Sequence, residues 1–201
     1  MSVRLLVVGR GAPGTSALAA LATRWGMPFG TLEVVHAAPE HLGALEGADG
    51  VWVAPADDGS EDDGCRRALR EAHLAGIPAL ATGHGLDVLA HDALGGPPDG
   101  APAPPVRPDV GDPVAGGLLT RGWVLEASRR GGPADVLRLP GRALLTAVPS
   151  AAPLLADGPW PHPVLWGLLG AAGVRPPGLV LDLAEQHAAL MLQAVVTSTP
   201  T

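Results

Sequence analysis

Two periods of apolar residues run along the chain and mark out its elements. "RLLVVGR" (4–10) is a Leu/Val run ended by glycine, the pattern of a buried strand. "TSALAALATRW" (15–25) carries apolar residues at helical spacing, with Thr15 or Ser16 placed to cap it. "LEVVHA" predicts a second strand, "PEHLGAL" a short helix, and "GVWVAP" a third strand broken at Pro55. An acidic loop, "ADDGSEDDG", precedes the amphipathic "CRRALREAHLAG" (65–76). "PALAT" then predicts a fourth strand and "HGLDVLAHDAL" the helix behind it. Strands alternating with helices at this spacing imply βαβ units and a mainly parallel sheet covered on both faces.

The alternation breaks at 95–113, where seven prolines predict an extended loop with no helix. Beyond it, "ADVLRLPGRALLTAVP" reads as two strands joined at "PGR", and "HPVLWGLLGAAG" as a helix started by proline. "GLVLDLAEQHAALMLQAVV" (178–196) predicts a strand running into a final helix. With no internal repeat, 201 residues suit one α/β domain over 1–201.

Composition narrows the partners. Lys and Asn are absent while Gly (28) and Pro (22) abound, a bias expected of GC-rich, actinobacterial coding. The net charge is −7 with no basic run, which argues against nucleic acid. A single cysteine, Cys65, leaves no internal disulfide and no cysteine-based zinc site. The apolar run near Met1 is too short for a signal or membrane segment, so a cytoplasmic protein without membrane contact is expected.

Three segments resemble class I glutamine amidotransferases, and among them stand-alone proteins related to the C-terminal glutaminase domain of CTP synthase. "GADGVWVAP" (47–55) looks like the strand leading into that family's oxyanion loop. "RRALREAHLAGIPALATGHGLDVLAHDALGG" (66–96) resembles its central helix, strand, nucleophile elbow and helix. "LPGRALLTAVPSAAPLLADGPWPHPVLWGLLGAAG" (139–173) resembles the segment holding its His-Pro-Glu. The resemblance covers about half the chain and implies a flavodoxin-like three-layer α/β sandwich with a mainly parallel central sheet.

In that family a cysteine attacks the glutamine amide, a histidine activates it and a glutamate orients the histidine. The resemblance puts those three positions at Gly83, Val148 and Ser150, so the triad is expected to be degenerate and glutamine hydrolysis absent. The oxyanion loop falls on "PADDG" (55–59), whose carboxylates would oppose a developing oxyanion. The family's glutamine after the elbow becomes Asp87.

Other residue types at this elbow could still carry chemistry. His84 and Asp87 are three apart at a helix start and share a face, which suits an acid/base group with its tautomer fixed, or simply a solvent-facing capping pair. Asp57 and Asp58 follow the third strand at the sheet's carboxyl edge and are further acid/base candidates, whereas Glu61, Asp62 and Asp63 read as a solvated acidic run. Gly83, Gly85 and Thr82 are binding candidates at the turn, whose backbone N–H groups favour anions and carbonyls, and Trp52 could wall the pocket. Cys65 reads as structural, His36 as a residue near the sheet edge, His41, His73 and His91 as surface positions, and His162 as a helix-start residue. "EQH" (185–187) lacks a second ligand pair, and neither metal nor cofactor is expected.

Two functional readings stay open. In the first, the scaffold is an enzyme repurposed for a small metabolite in a specialised biosynthetic pathway. In the second, it is a non-catalytic protein that binds a metabolite or scaffolds a partner synthase. A homodimer or a partner biosynthetic protein is the expected macromolecular contact, through apolar segments such as "HPVLWGLLGAAGV".

Overall fold

A computed structural model describes residues 2–24, 32–41, 45–96, 103–107, 111–127, 134–139, 145–155 and 162–174. Its strands are β1 (Val3–Val8), β2 (Leu32–Ala37), β3 (Gly50–Val53), β4 (Ala79–Thr82), β5 (Val124–Ala127), β6 (Ala134–Leu139) and β7 (Leu145–Val148). Helices α1 (Thr15–Arg24), α2 (Asp62–Ala75), α3 (His84–Leu94), α4 (Pro113–Leu119), α5 (Ala152–Leu155) and α6 (Pro163–Ala171) connect and cover them.

The strands form one seven-stranded sheet in the order β2-β1-β3-β4-β7-β6-β5. Pairing is parallel from β2 through β7, and β6 and β5 are antiparallel additions at the far edge. Short runs without polar alternation make the central strands, because both faces are covered. β3 and β4 are buried at every position.

Successive side chains divide between two cores, as the pleat requires. Leu6, Val8, Val51, Val53 and Ala81 face α2, α3 and α4. Leu5, Val7, Trp52 and Leu80 face α1, α5 and α6. The result is the three-layer α/β sandwich expected from the sequence.

Several boundaries depart from the sequence pattern. α2 starts at Asp62, a turn before Cys65, so its acidic residues belong to the helix. α4, β5 and the short α5 were not expected. The "PVAGGLL" of α4 holds two glycines, and it is set by Asp112, which accepts from the N–H groups of Val114 and Ala115, and by Pro113 in its first turn. The helix expected at 39–45 falls partly, and the strand and helix at 178–196 wholly, outside the described residues. Among the described residues, no helix is long and apolar enough to cross a membrane.

Candidate functional site

The turn between β4 and α3 has the shape that the sequence suggests. Gly83 sits at φ 59, ψ −132, a conformation that glycine adopts without strain. Its N–H donates to the Val148 carbonyl at 3.1 Å, joining the elbow to the end of β7. Val148 is buried and Ser150, two residues on, is exposed. A Cβ placed on Gly83 would meet no heavy atom within 4 Å, so the space beyond the apex is open. Gly85 differs: a Cβ there would lie 2.9 Å from the Val53 carbonyl oxygen and 3.2 Å from Pro55 Cδ. Glycine is therefore required at 85 by the close approach of α3 to the end of β3.

His84, the first residue of α3, turns toward the start of α2. Its Nδ1 lies 3.0 Å from Asp87 Oδ2. Its Nε2 lies 2.9 Å from one Asp62 oxygen and 3.2 Å from the other. The side chains of His84, Asp62 and Asp87 are 9 %, 7 % and 13 % exposed, so the three form an almost dry array.

The charge state follows from that enclosure. Burial works against protonation of His84, as does its place at a helix N-terminus. The hydrogen bonds to Asp87 and Asp62 and their charges outweigh this and raise its pKa. Burial pushes the Asp87 carboxyl above its usual value, against the Val106 N–H and His84, which favour the ionised form. When protonated, His84 carries a proton on each ring nitrogen and donates to both carboxylates.

Each carboxylate has a second task. Asp62 Oδ2 accepts from the Ala103 N–H at 3.3 Å, and Asp87 Oδ1 from the Val106 N–H at 2.7 Å. One turn along α3, His91 Nε2 contacts the Pro104 carbonyl at 3.0 Å. Residues 103–107 form a strap along α3, with Ala103 and Val106 buried in the core on that side. Within the Pro-rich stretch, residues 103–107 are neither helix nor strand and are docked on α3.

Of the sequence candidates, the structure brings His84 and Asp87 together and leaves Asp57 and Asp58 apart from them, in the exposed loop. Asp57 is exposed, with no polar partner among the described residues. Asp58 accepts from the N–H and hydroxyl of Ser60 and sits 3.5 Å from the Arg10 guanidinium. The Ser60 hydrogen bonds hold its carboxyl below the usual range. Asp62, read as part of a solvated run, is the residue that joins His84. Its place in the first turn of α2 follows from a helix start one turn before the Cys65 that the sequence pattern marks.

Glu61 is no free surface charge either. It accepts from the N–H groups of Arg10 and Ala56, each at 2.9 Å, and from Arg10 Nε at 3.1 Å. Burial opposes its charge, but these donors outweigh it and lower its pKa. Asp63 is exposed and pairs with Arg66. Trp52 does not wall the opening: it is fully buried on the α6 side, and its Nε1–H donates to Thr82 Oγ1 at 2.9 Å. Thr82 is consumed by that bond inside the core. Cys65 is buried, and burial first, then Glu61 and Asp62, push its thiol up to about 12. His36 is exposed at the end of β2, and His162 accepts from the Val164 N–H at the start of α6. Residues 185–187 lie outside the described residues.

No protein-family model and no curated protein matches the sequence. Among solved structures, the chain is similar to the glutaminase domain of Trypanosoma brucei CTPS, a structure with bound acivicin. That match has a TM-score of 0.62 and 14 % identity, and it covers 88 % of this chain and 97 % of that one. At this identity the likeness concerns the fold alone: the chain has a class I glutamine amidotransferase-like fold.

Proposed function

We propose that this protein uses a glutaminase fold to bind rather than to hydrolyse, taking a small metabolite at the open elbow or seating a partner synthase there. The observation that carries this reading is the engagement of both His84 ring nitrogens by carboxylates. A general base needs a free ring nitrogen within reach of substrate, and His84 has none. Gly83 at the apex offers no atom for attack, and Val148 and Ser150 supply neither an activating histidine nor an orienting glutamate. The open space above Gly83 and the N–H groups at the start of α3 support binding of a carbonyl or anionic group.

A second reading, acid/base chemistry on a small metabolite of a specialised pathway, draws on the 3.0 Å contact between His84 and Asp87. It requires the strap to leave and one carboxylate to release the ring.

The test is ammonia release from glutamine by the purified protein, expected at background level. Release that is lost on Cys65→Ser would overturn the binding reading together with the assignment of Gly83 as the former nucleophile position. A metabolite turned over by the wild type but not by a folded His84→Gln variant would favour the second reading.

A further inference from the structure

A second opening lies at the same edge of the sheet, away from the elbow. It is a cleft of about 620 Å³ between the loop after β1 and the end of β2. Gly9, Arg10, Ala12 and Gly14 line one side, the 36–40 segment lines another, and Ser60 and Glu61 complete it. The loop reads G-R-G-A-P-G, a G-x-G-x-x-G that leaves a strand, opens α1 and leads to β2, which pairs in parallel with β1. Strand, glycine loop, helix and returning parallel strand are the setting in which this spacing holds nucleotides. There, an acidic side chain beyond the second strand takes the ribose hydroxyls.

The glycines show which part of a nucleotide fits. A Cβ at Gly9 would lie 2.4 Å from the Ala54 oxygen, and one at Gly11 2.6 Å from the Pro55 oxygen. What approaches these two glycines is the protein's own backbone, so the close approach that a glycine here would offer a phosphate is already taken. Only Gly14 has open space around it.

The charges point the same way. The Arg10 guanidinium is engaged by Glu61, Ser60 and Asp58 and is not free for an anion. Glu40 is exposed and has no hydrogen-bond or ion-pair partner among the described residues. Ala12 and Ala38 give apolar surface on which a planar base can lie.

We propose that this cleft binds a ribonucleoside without a 5′-phosphate, with the Glu40 carboxylate accepting the ribose diol and the base against Ala12 and Ala38. The site is independent of the elbow, so the outcome of a glutaminase assay does not bear on it.

Titration calorimetry of the full chain with adenosine, guanosine, cytidine and uridine tests the proposal. At least one should saturate, and its 2′-deoxy and 5′-monophosphate forms should bind about tenfold more weakly. Glu40→Gln, an exposed and isosteric change, should weaken binding by about tenfold, and Gly14→Val should weaken it as much by filling the cleft. If Gly14→Val does not fold, Glu40→Gln alone decides. No saturation by any of the four up to about 5 mM would overturn the proposal, as would tighter binding of a 5′-monophosphate or affinity unchanged by Glu40→Gln.

Discussion

His84 Nε2 lies 2.9 Å from an Asp62 carboxylate oxygen, and this contact joins the first residues of α3 and α2. Both helix starts, and the strap held by their carboxylates, depend on one imidazole. Replacing it leaves two buried carboxylates facing each other without a counter-charge. His84→Gln should therefore cost about 3 kcal/mol in urea unfolding. Amide exchange should also accelerate at Ala103 and Val106, whose N–H groups those carboxylates hold.

The pH dependence follows from the shifts. The folded-state pKa of His84 lies above the ordinary imidazole value of 6.5, so its contribution to stability is complete below 6.5 and is lost as pH rises through the higher folded value. The melting temperature of the wild type should fall as pH rises above 6.5, and that of His84→Gln should not. Asp87 acts in the same direction, at lower pH. Its folded pKa is also raised, so the fold disfavours its ionised form, and the stability withheld at neutral pH returns as pH falls toward 3.8. Imidazole ring shifts and carboxyl carbon shifts in NMR would follow the two titrations separately.

The carboxylates can be separated by substitution. Asp62→Asn keeps an acceptor for the Ala103 N–H but removes a charge from His84, and it should move the imidazole titration downward. Asp57→Ala and Asp58→Ala should leave that titration in place and change the melting temperature little, because both side chains lie in the exposed loop. A shift of the His84 titration in Asp57→Ala as large as in Asp62→Asn would contradict the geometry.

That contrast also shows what the sequence could reveal. His84 and Asp87 are three apart on one helix, so local periodicity alone brings them together. Asp62 lies 22 residues before His84, inside "SEDDG", and a run of acids reads as solvent-exposed. Its burial depends on α2 starting a turn early and on Ala103, 41 residues away. Neither relation has a local signature. The central strands were legible because a strand covered on both faces needs an unbroken apolar run. α4 was not, because two glycines weaken its helical pattern and its stability comes from a cap and from Leu118 in the core.

The two elbow glycines should respond differently to alanine. At Gly85 the new methyl would meet the Val53 carbonyl at 2.9 Å, where backbone has to move, and a loss of about 3 kcal/mol is expected. At Gly83 there is room, and only the strain of φ 59 with ψ −132 opposes the change, about 1–2 kcal/mol. Denaturant midpoints of Gly83→Ala and Gly85→Ala should keep that order.

Cys65 should be inert in the native protein. Its thiol is fully buried and its pKa is pushed up to about 12, so thiolate is scarce at neutral pH. A thiol reagent should label it only as fast as the protein unfolds, and native-state labelling within seconds would contradict its place on the buried face of α2.

The strap bears on the unfolded chain as much as on the folded one. Pro104 and Pro105 lie between Ala103 and Val106, and each ring fixes one backbone torsion before folding begins. A glycine-rich segment of equal length would have far more conformations to give up on docking. Three polar contacts to Asp62, Asp87 and His91 can hold this segment because prolines have already removed much of its freedom. Proline richness, which reads in the sequence as a break in the fold, here lowers the entropic cost of closing the chain over its own buried charges.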